Sequence, residues 1–421
     1  MESSLSIDAS RELDAKDSLP RVLALDAARG IAVLGMFAVH VGPHRGMAGA
    51  SWLTIFEGRS AALFAVLAGV SLALMSGGAQ SATGIAMRRS LIRIAARAVL
   101  VALLGLALAQ LHSGIGIMII LSYYGLFFLL ALPALRLSAR ALAVLAAVWA
   151  VAGPIVSFVI RSHLHQNAFG GNPTFEMFTS WEGLRQAGVM LTLTGAYPAL
   201  TWMPFVFAGM ALGRWGIRTL RPLPVLGIGA VLALLGYGGS WLAQHPLGGR
   251  EHLVDLLTRG MAEAGVTDFD PGMLIDLTGF GSVATTSPWW LTVATPHSGT
   301  PFEVFGATGV AFLVIGVLMA LVPRAGIALW PLIAAGSCAL SLYIAQAVAV
   351  SVLVPIPDEH ATSLPGGIRG PGWPLLLLLA GGSLLAATLW RAAFRRGPAE
   401  WLLHRITLGL TNLLVRETPG R

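Results

Sequence analysis

The chain has 421 residues, 56% of them apolar and only 11% charged, with a mean hydropathy of +0.76. A soluble domain is roughly one-half apolar and one-quarter charged, so the composition excludes an ordinary soluble enzyme and implies an all-α, polytopic integral membrane protein. The net charge of +7 does not point to nucleic acid, because no basic patch lies in a soluble module and arginines held on the cytoplasmic side of a membrane give the same surplus.

Residues 1–21 are polar and read as a cytoplasmic tail; they lack the apolar core of a removable signal peptide. A bilayer-length template of ~20 residues then gives about ten transmembrane helices, at 22–42, 60–77, 94–112, 115–133, 141–160, 196–213, 223–242, 302–322, 327–350 and 373–393. With the N-terminus inside, this arrangement leaves nineteen Lys and Arg residues on the cytoplasmic side and seven opposite, with Arg29 in the membrane. The positive-inside rule therefore places both termini in the cytoplasm. Two long extracytoplasmic segments result, at about 161–195 and 243–301, and the second reads as a partial lid over an outward-facing cavity. Residues 22–393 form the membrane domain. The tail 394–421 contains Leu402, Leu403, Ile406, Leu410, Leu413 and Leu414 on one helical face with Arg405, Asn412 and Arg416 opposite, the pattern of an interfacial amphipathic helix. The single cysteine, Cys338, excludes an intrachain disulfide.

The first span, "LDAARGIAVLGMFAVH", carries three ionisable groups. Arg29 and His40 are eleven positions apart, which on a helix is three turns plus about 20° and a rise of ~16 Å, so both side chains share a face. Asp26, three positions before Arg29, lies on the same stripe and pairs with it. Ionisable groups at membrane depth are costly and point into protein or a wet cavity, so this helix is expected to line one. The alternatives are a snorkelling Arg29 with Asp26 as its partner, and a His40 that merely hydrogen-bonds near the boundary.

Other residues fit around that stripe. Arg89, Arg93 and Arg97 repeat on one helical face and offer positive charge to an anionic ligand, although the positive-inside rule also accounts for them. Glu57 and Arg59 precede the second span, and His297 and Glu303 flank the eighth; all four are candidate substrate-binding residues or, equally, ordinary polar loop ends. His163 and His165 lack a third and fourth ligand, so no metal is expected. Tyr123, Tyr124, Gln110 and Gln346 read as interhelical hydrogen-bonding residues.

"RVLALDAARGIAVLGMFAVH", followed by "FEGRSAALFAVLAGVSLAL", resembles the transmembrane acyltransferase superfamily, in particular its bacterial heparan-α-glucosaminide N-acetyltransferase-like and YeiB-like members. "AAGSCALSLYIAQAV" and "RRGPAEWLLHRIT" are similar to the C-terminal half of the same group. The spacing of Arg29 and His40 is shared with membrane O-acyltransferases of bacterial surface sugars. One position departs: in the lysosomal heparan enzyme Asn stands where this chain has His40, and the catalytic His lies further along, where this chain offers His44 at a different spacing. His40 is favoured over His44 as the residue that handles the proton.

The resemblance implies acyl transfer, most simply of acetyl, from acetyl-CoA or another acyl-CoA to a hydroxyl or amine of an extracytoplasmic sugar or glycolipid. Asp26, Arg29, His40 and His44 are its catalytic candidates, with the imidazole as general base or acyl carrier. Arg29, Arg89, Arg93 and Arg97 are the candidates for holding the donor. Abundant Arg beside a single Lys points to a GC-rich bacterium and hence to a multi-pass protein of its plasma membrane, surrounded by lipid; no nucleic acid is expected, and the homodimer is left open. A transporter or lipid flippase, with the Asp26/Arg29/His40 stripe as its solute or proton site, is the rival reading, and a non-catalytic membrane assembly protein is the third.

Overall fold

The structure, a computed structural model, describes residues 22–43, 51–111, 117–164, 171–266, 268–277, 279–354 and 371–415. The described residues form helices and turns and no strand, as expected where backbone polar groups must be satisfied inside each segment. Among the described residues, seven helices are long and apolar enough to cross a membrane, or up to nine if each of two bent pairs is one span. In chain order the helices are α1 (Leu23–Val41), α2 (Arg59–Met75), α3 (Gly84–Leu108), α4 (Leu121–Ala131), α5 (Ala139–Leu164), α6 (Trp181–Val189), α7 (Ala199–Arg214) and α8 (Pro222–Ala233). They continue with α9 (Gly239–Gln244), α10 (Gly249–Glu263), α11 (Pro271–Asp276), α12 (Pro301–Ala325), α13 (Trp330–Ser337), α14 (Ala339–Leu353), α15 (Trp373–Ala393) and α16 (Pro398–Leu414). Among its described residues, the expected span at 115–133 contains only the 11-residue α4, about 17 Å long and so shorter than the hydrocarbon core.

At the centre, α1 packs on α13, and α2 on α7. Small residues bring these backbones together, as in other membrane helix pairs. A Cβ on Gly336 would run into the Asp26 carbonyl, and one on Gly30 into the Leu332 carbonyl. This close approach is possible only at glycine, and it fixes α1, with its ionisable stripe, against α13.

Two irregularities shape the ends of the bundle. The chain turns by 79° between α13 and α14, which frees the first N–H groups of α14. Glu400, in the first turn of α16, accepts from Leu340 N at 2.6 Å and from Ser341 Oγ at 2.5 Å, so the C-terminal helix caps the break. Between α8 and α9 lies a π turn, Leu234–Gly238, a local widening common near functional sites. Its Tyr237 hydroxyl accepts from Arg59 Nε at 2.9 Å.

The segment 243–301 is folded rather than a bare connector. α10, α11 and the 3-10 turn Pro288–Thr292 enclose their own small apolar cluster of Leu253, Ile275, Val283, Trp290 and Val293. Trp290 is buried in that cluster. Arg161 of α5 is buried too, and its Nη1 donates to Val283 O at 2.6 Å, tying the segment to the bundle.

Candidate active site

Asp26 is buried, and its Oδ1 accepts from Arg29 Nη1 at 2.6 Å. The second guanidinium nitrogen, Nη2, donates to Ser71 Oγ of α2 at 2.9 Å, and that hydroxyl in turn donates to Leu67 O at 2.8 Å. The guanidinium is thus held by two helices. It forms part of the wall of a cavity of about 380 Å³. Arg93 and Arg97 of α3, Arg396 just before α16, and Glu400 and His404 of α16 line the same space. Arg89, one turn before Arg93, is not part of that wall.

Above the arginines the cavity turns apolar. Met36, Phe64, Ile120, Tyr124, Phe128 and Tyr343 line it, and the Tyr124 hydroxyl, although buried, meets no hydrogen-bonding group among the described residues. The cavity wall reaches Met36 of α1, one turn below His40, a rise of about 6 Å.

His40 lies at the far end of α1, half-buried, with Gln346 Nε2 of α14 at 3.3 Å from its Nδ1. The loop before α12 brings a second imidazole to the same region. His297 has φ +57°, a left-handed backbone that costs a non-glycine residue about 1–2 kcal/mol. Glu303 holds it there: its carboxylate accepts from His297 N at 2.8 Å and from Gly299 N at 2.6 Å. Thr300 completes the motif by capping α12, its Oγ1 accepting from Glu303 N at 3.2 Å. The His297 carbonyl accepts from Gly281 N at 2.8 Å. Its ring stacks on Trp202 of α7 at 5.7 Å between centroids and meets the edge of Tyr197 at 5.5 Å.

Burial lowers the His297 pKa to about 4; a charge on His40 acts in the same direction, and the Glu57 carboxylate opposes both. The ring is therefore neutral at physiological pH and senses both of those neighbours. Arg59 is occupied structurally: besides Tyr237 it reaches Thr54 O at 3.3 Å. Glu57, Arg59, Tyr237, Pro296 and Glu303 surround one small void.

The sequence candidates thus fall into two groups. Asp26, Arg29, Arg93 and Arg97 gather around the basic cavity, and His40, Glu57, Arg59, His297 and Glu303 gather at the opposite end of α1. His44 and His165 lie outside the described residues. No group of three or more His, Cys, Asp or Glu among the described residues is placed to hold a metal. Sequence reasoning missed Ser71, Arg396, Glu400 and His404. It also read Gln346 as a generic interhelical residue, whereas that amide is the partner of His40. The Thr300-x-x-Glu303 spacing of a capping box was a usable signal for the His297 loop.

An all-helical bundle with a buried ion pair and a mixed basic and apolar cavity between its spans defines a polytopic membrane protein built around an internal site. Residues 21–238, just over half of the chain, match the family heparan-alpha-glucosaminide N-acetyltransferase, catalytic, and the chain belongs to that family. Residues 272–410 match a second family, described as a protein of unknown function (DUF418). No curated protein matches the chain. The first match supports a membrane acetyltransferase function.

Proposed function

We propose that this protein is an acyl-CoA-dependent acyltransferase of a bacterial plasma membrane. It moves an acyl group, acetyl in the simplest case, to a hydroxyl or amine of an extracytoplasmic sugar or glycolipid. The observation that carries this reading is the meeting of Arg29, Arg93, Arg97 and Arg396, from three separate parts of the chain, in one cavity whose upper wall is apolar. Coenzyme A has the same two-part character: anionic phosphates at one end and a thin, largely uncharged arm at the other. Guanidinium groups suit the phosphates because each offers several fixed donors to oxygen.

With both termini cytoplasmic, the arginine end faces the cytoplasm, where acyl-CoA is found. The arm then runs along Phe64, Tyr124 and Tyr343 toward Met36, and the acyl carbonyl has one further turn of α1 to pass before it reaches His40. There an imidazole accepts a proton or carries the acyl group. Asp26 keeps Arg29 oriented and neutralises part of its charge, which lowers the cost of holding a guanidinium at this depth.

The test uses the full chain reconstituted in sealed lipid vesicles, with acetyl-CoA labelled on the acetyl group and glucosamine as the acceptor probe. Release of free coenzyme A by the wild type, lost in His40→Ala but retained in His44→Ala, is the expected result. Uptake of label into vesicles without cleavage of the thioester would instead identify a transporter and overturn the reading.

A further inference from the structure

Two neutral imidazoles at one end of α1 raise the question of which one takes the acceptor's proton. Gln346 answers half of it. With the Gln346 amide turned so that its Nε2 lies 3.3 Å from His40 Nδ1, and an amide nitrogen only donating, the matching tautomer has Nδ1 as the acceptor and the ring proton of neutral His40 on Nε2. In that tautomer His40 has no lone pair left for an incoming hydroxyl or amine. Its Nε2–H is a donor, suited to an oxygen on which negative charge develops.

His297 has the opposite character. The loop fixes its backbone, and Trp202 and Tyr197 hold its ring on two sides. Among the described residues neither ring nitrogen has a hydrogen-bonding partner. A ring held in place by its faces and its backbone, with both nitrogens free, is arranged to exchange protons with something that is not part of the protein. The left-handed backbone supports this: unfavourable conformations that the surroundings enforce cluster at functional sites, and here the enforcing group is the buried Glu303 carboxylate.

We propose that His297 is the base that receives the acceptor's proton, that His40 donates its Nε2–H to the thioester carbonyl oxygen, and that Glu303 is a positioning residue acting through His297. This rests on the acyltransferase reading. In the transfer, the acceptor's O–H or N–H bond breaks and its proton goes to His297 as the new bond to the acyl carbon forms. The electron pair moves onto the carbonyl oxygen beside His40, then returns as the C–S bond breaks. Coenzyme A leaves as a thiolate and collects the proton from His297 through solvent, so both imidazoles end neutral. The charged and titratable groups around His297 are His40, Glu57, Arg59, Tyr197 and Glu303. Burial keeps the His297 ring unprotonated down to about pH 4, so a free lone pair is present throughout the neutral range.

The decisive variant is His297→Gly. Glycine adopts positive φ without strain, so this change removes the ring while easing the backbone. General base catalysis is worth about 10²–10⁴-fold. Coenzyme A release to glucosamine should therefore fall at least about 100-fold in kcat, with the KM for acetyl-CoA and the melting temperature unchanged. Added free imidazole should restore part of the rate, whereas pyrazole, a ring of similar size that is a far weaker base, should not. Glu303→Gln should lower kcat less than His297→Gly, and Glu303→Asp should recover part of that loss. Full activity in His297→Gly, or a loss that imidazole does not relieve, overturns the assignment of the base while leaving the acyltransferase reading intact. A wild-type protein that binds acetyl-CoA but releases no coenzyme A to the acceptor probe or to water overturns both.

Discussion

Arg29 is held more tightly than a snorkelling arginine would be. Its guanidinium has Asp26 on its own helix and Ser71 on the next, so its direction is set before any ligand arrives. Arg29→Lys keeps the charge but loses the two-sided geometry; we expect the KM for acetyl-CoA to rise about tenfold with kcat little changed, measured by coenzyme A release. The spacing rule placed Asp26, Arg29 and His40 correctly on one stripe because all three lie on one regular helix. It could not show the surroundings of each: Arg29 lines the basic cavity with Phe64 and Tyr343, which arrive from distant segments, whereas His40 meets Gln346. His297 was legible only as a polar residue at a loop end; what sets it apart, its φ and its clamp, is tertiary.

The His297 ring also makes a pH prediction. Its pKa in the folded protein, about 4, lies below the ordinary value of 6.5. The acid limb of kcat/KM should therefore fall near pH 4 rather than near 6.5. Glu57→Gln removes the group that raises this pKa and should move the limb to still lower pH. The linked effect on stability has a definite sign: the unfolded chain takes up the proton first, so folding weakens as pH falls from 6.5 toward 4 and is unaffected above that window. A pH series of thermal melts for the wild type and His297→Gly isolates this contribution.

At the scale of helices, Arg214 shows how short connections are fixed in this bundle. From the end of α7 its guanidinium donates to Ala73 O at 2.9 Å, Gly78 O at 2.6 Å, Ser76 Oγ at 2.7 Å and Leu135 O at 2.5 Å. Removing it strands several buried acceptors, so Arg214→Met should destabilise the protein by on the order of 3 kcal/mol, seen as a lower melting temperature in detergent. The apolar runs revealed the spans, and the amphipathic tail revealed α16. Its docking was not legible, because the face that meets the bundle is Leu403, Thr407 and Thr411, while the more apolar residues Leu402, Ile406 and Leu410 remain exposed. Hydropathy identified the greasy side of this helix; the side that packs is chosen by Glu400 reaching the broken end of α14. Likewise, the spans at 196–213 and 327–350 were read as single segments, and only the bend angles of 59° and 79° show that each is interrupted or led into by a second helix.

Across the whole molecule, the arrangement of basic residues makes a testable statement about sidedness. With Cys338 replaced by alanine, Thr83→Cys, just before α3, should react with a membrane-impermeant maleimide only after cells are permeabilised. Thr258→Cys, on α10, should react in intact cells. Both positions are exposed, so accessibility reports the side of the membrane; the reverse pattern would invert the orientation and place the basic cavity away from the cytoplasm.

The basic cavity is assembled by parts of the chain that the two family matches treat separately. Arg29, Ser71, Arg93 and Arg97 come from the stretch matched as an N-acetyltransferase, whereas Gly336, Tyr343, Arg396, Glu400 and His404 come from the stretch matched only as a protein of unknown function. Cutting the polypeptide between α10 and α11 should therefore yield two pieces that are inert alone and regain donor affinity when co-expressed. It also makes the two stretches one working unit: a substitution that widens one wall should be offset by a bulkier side chain on the facing one.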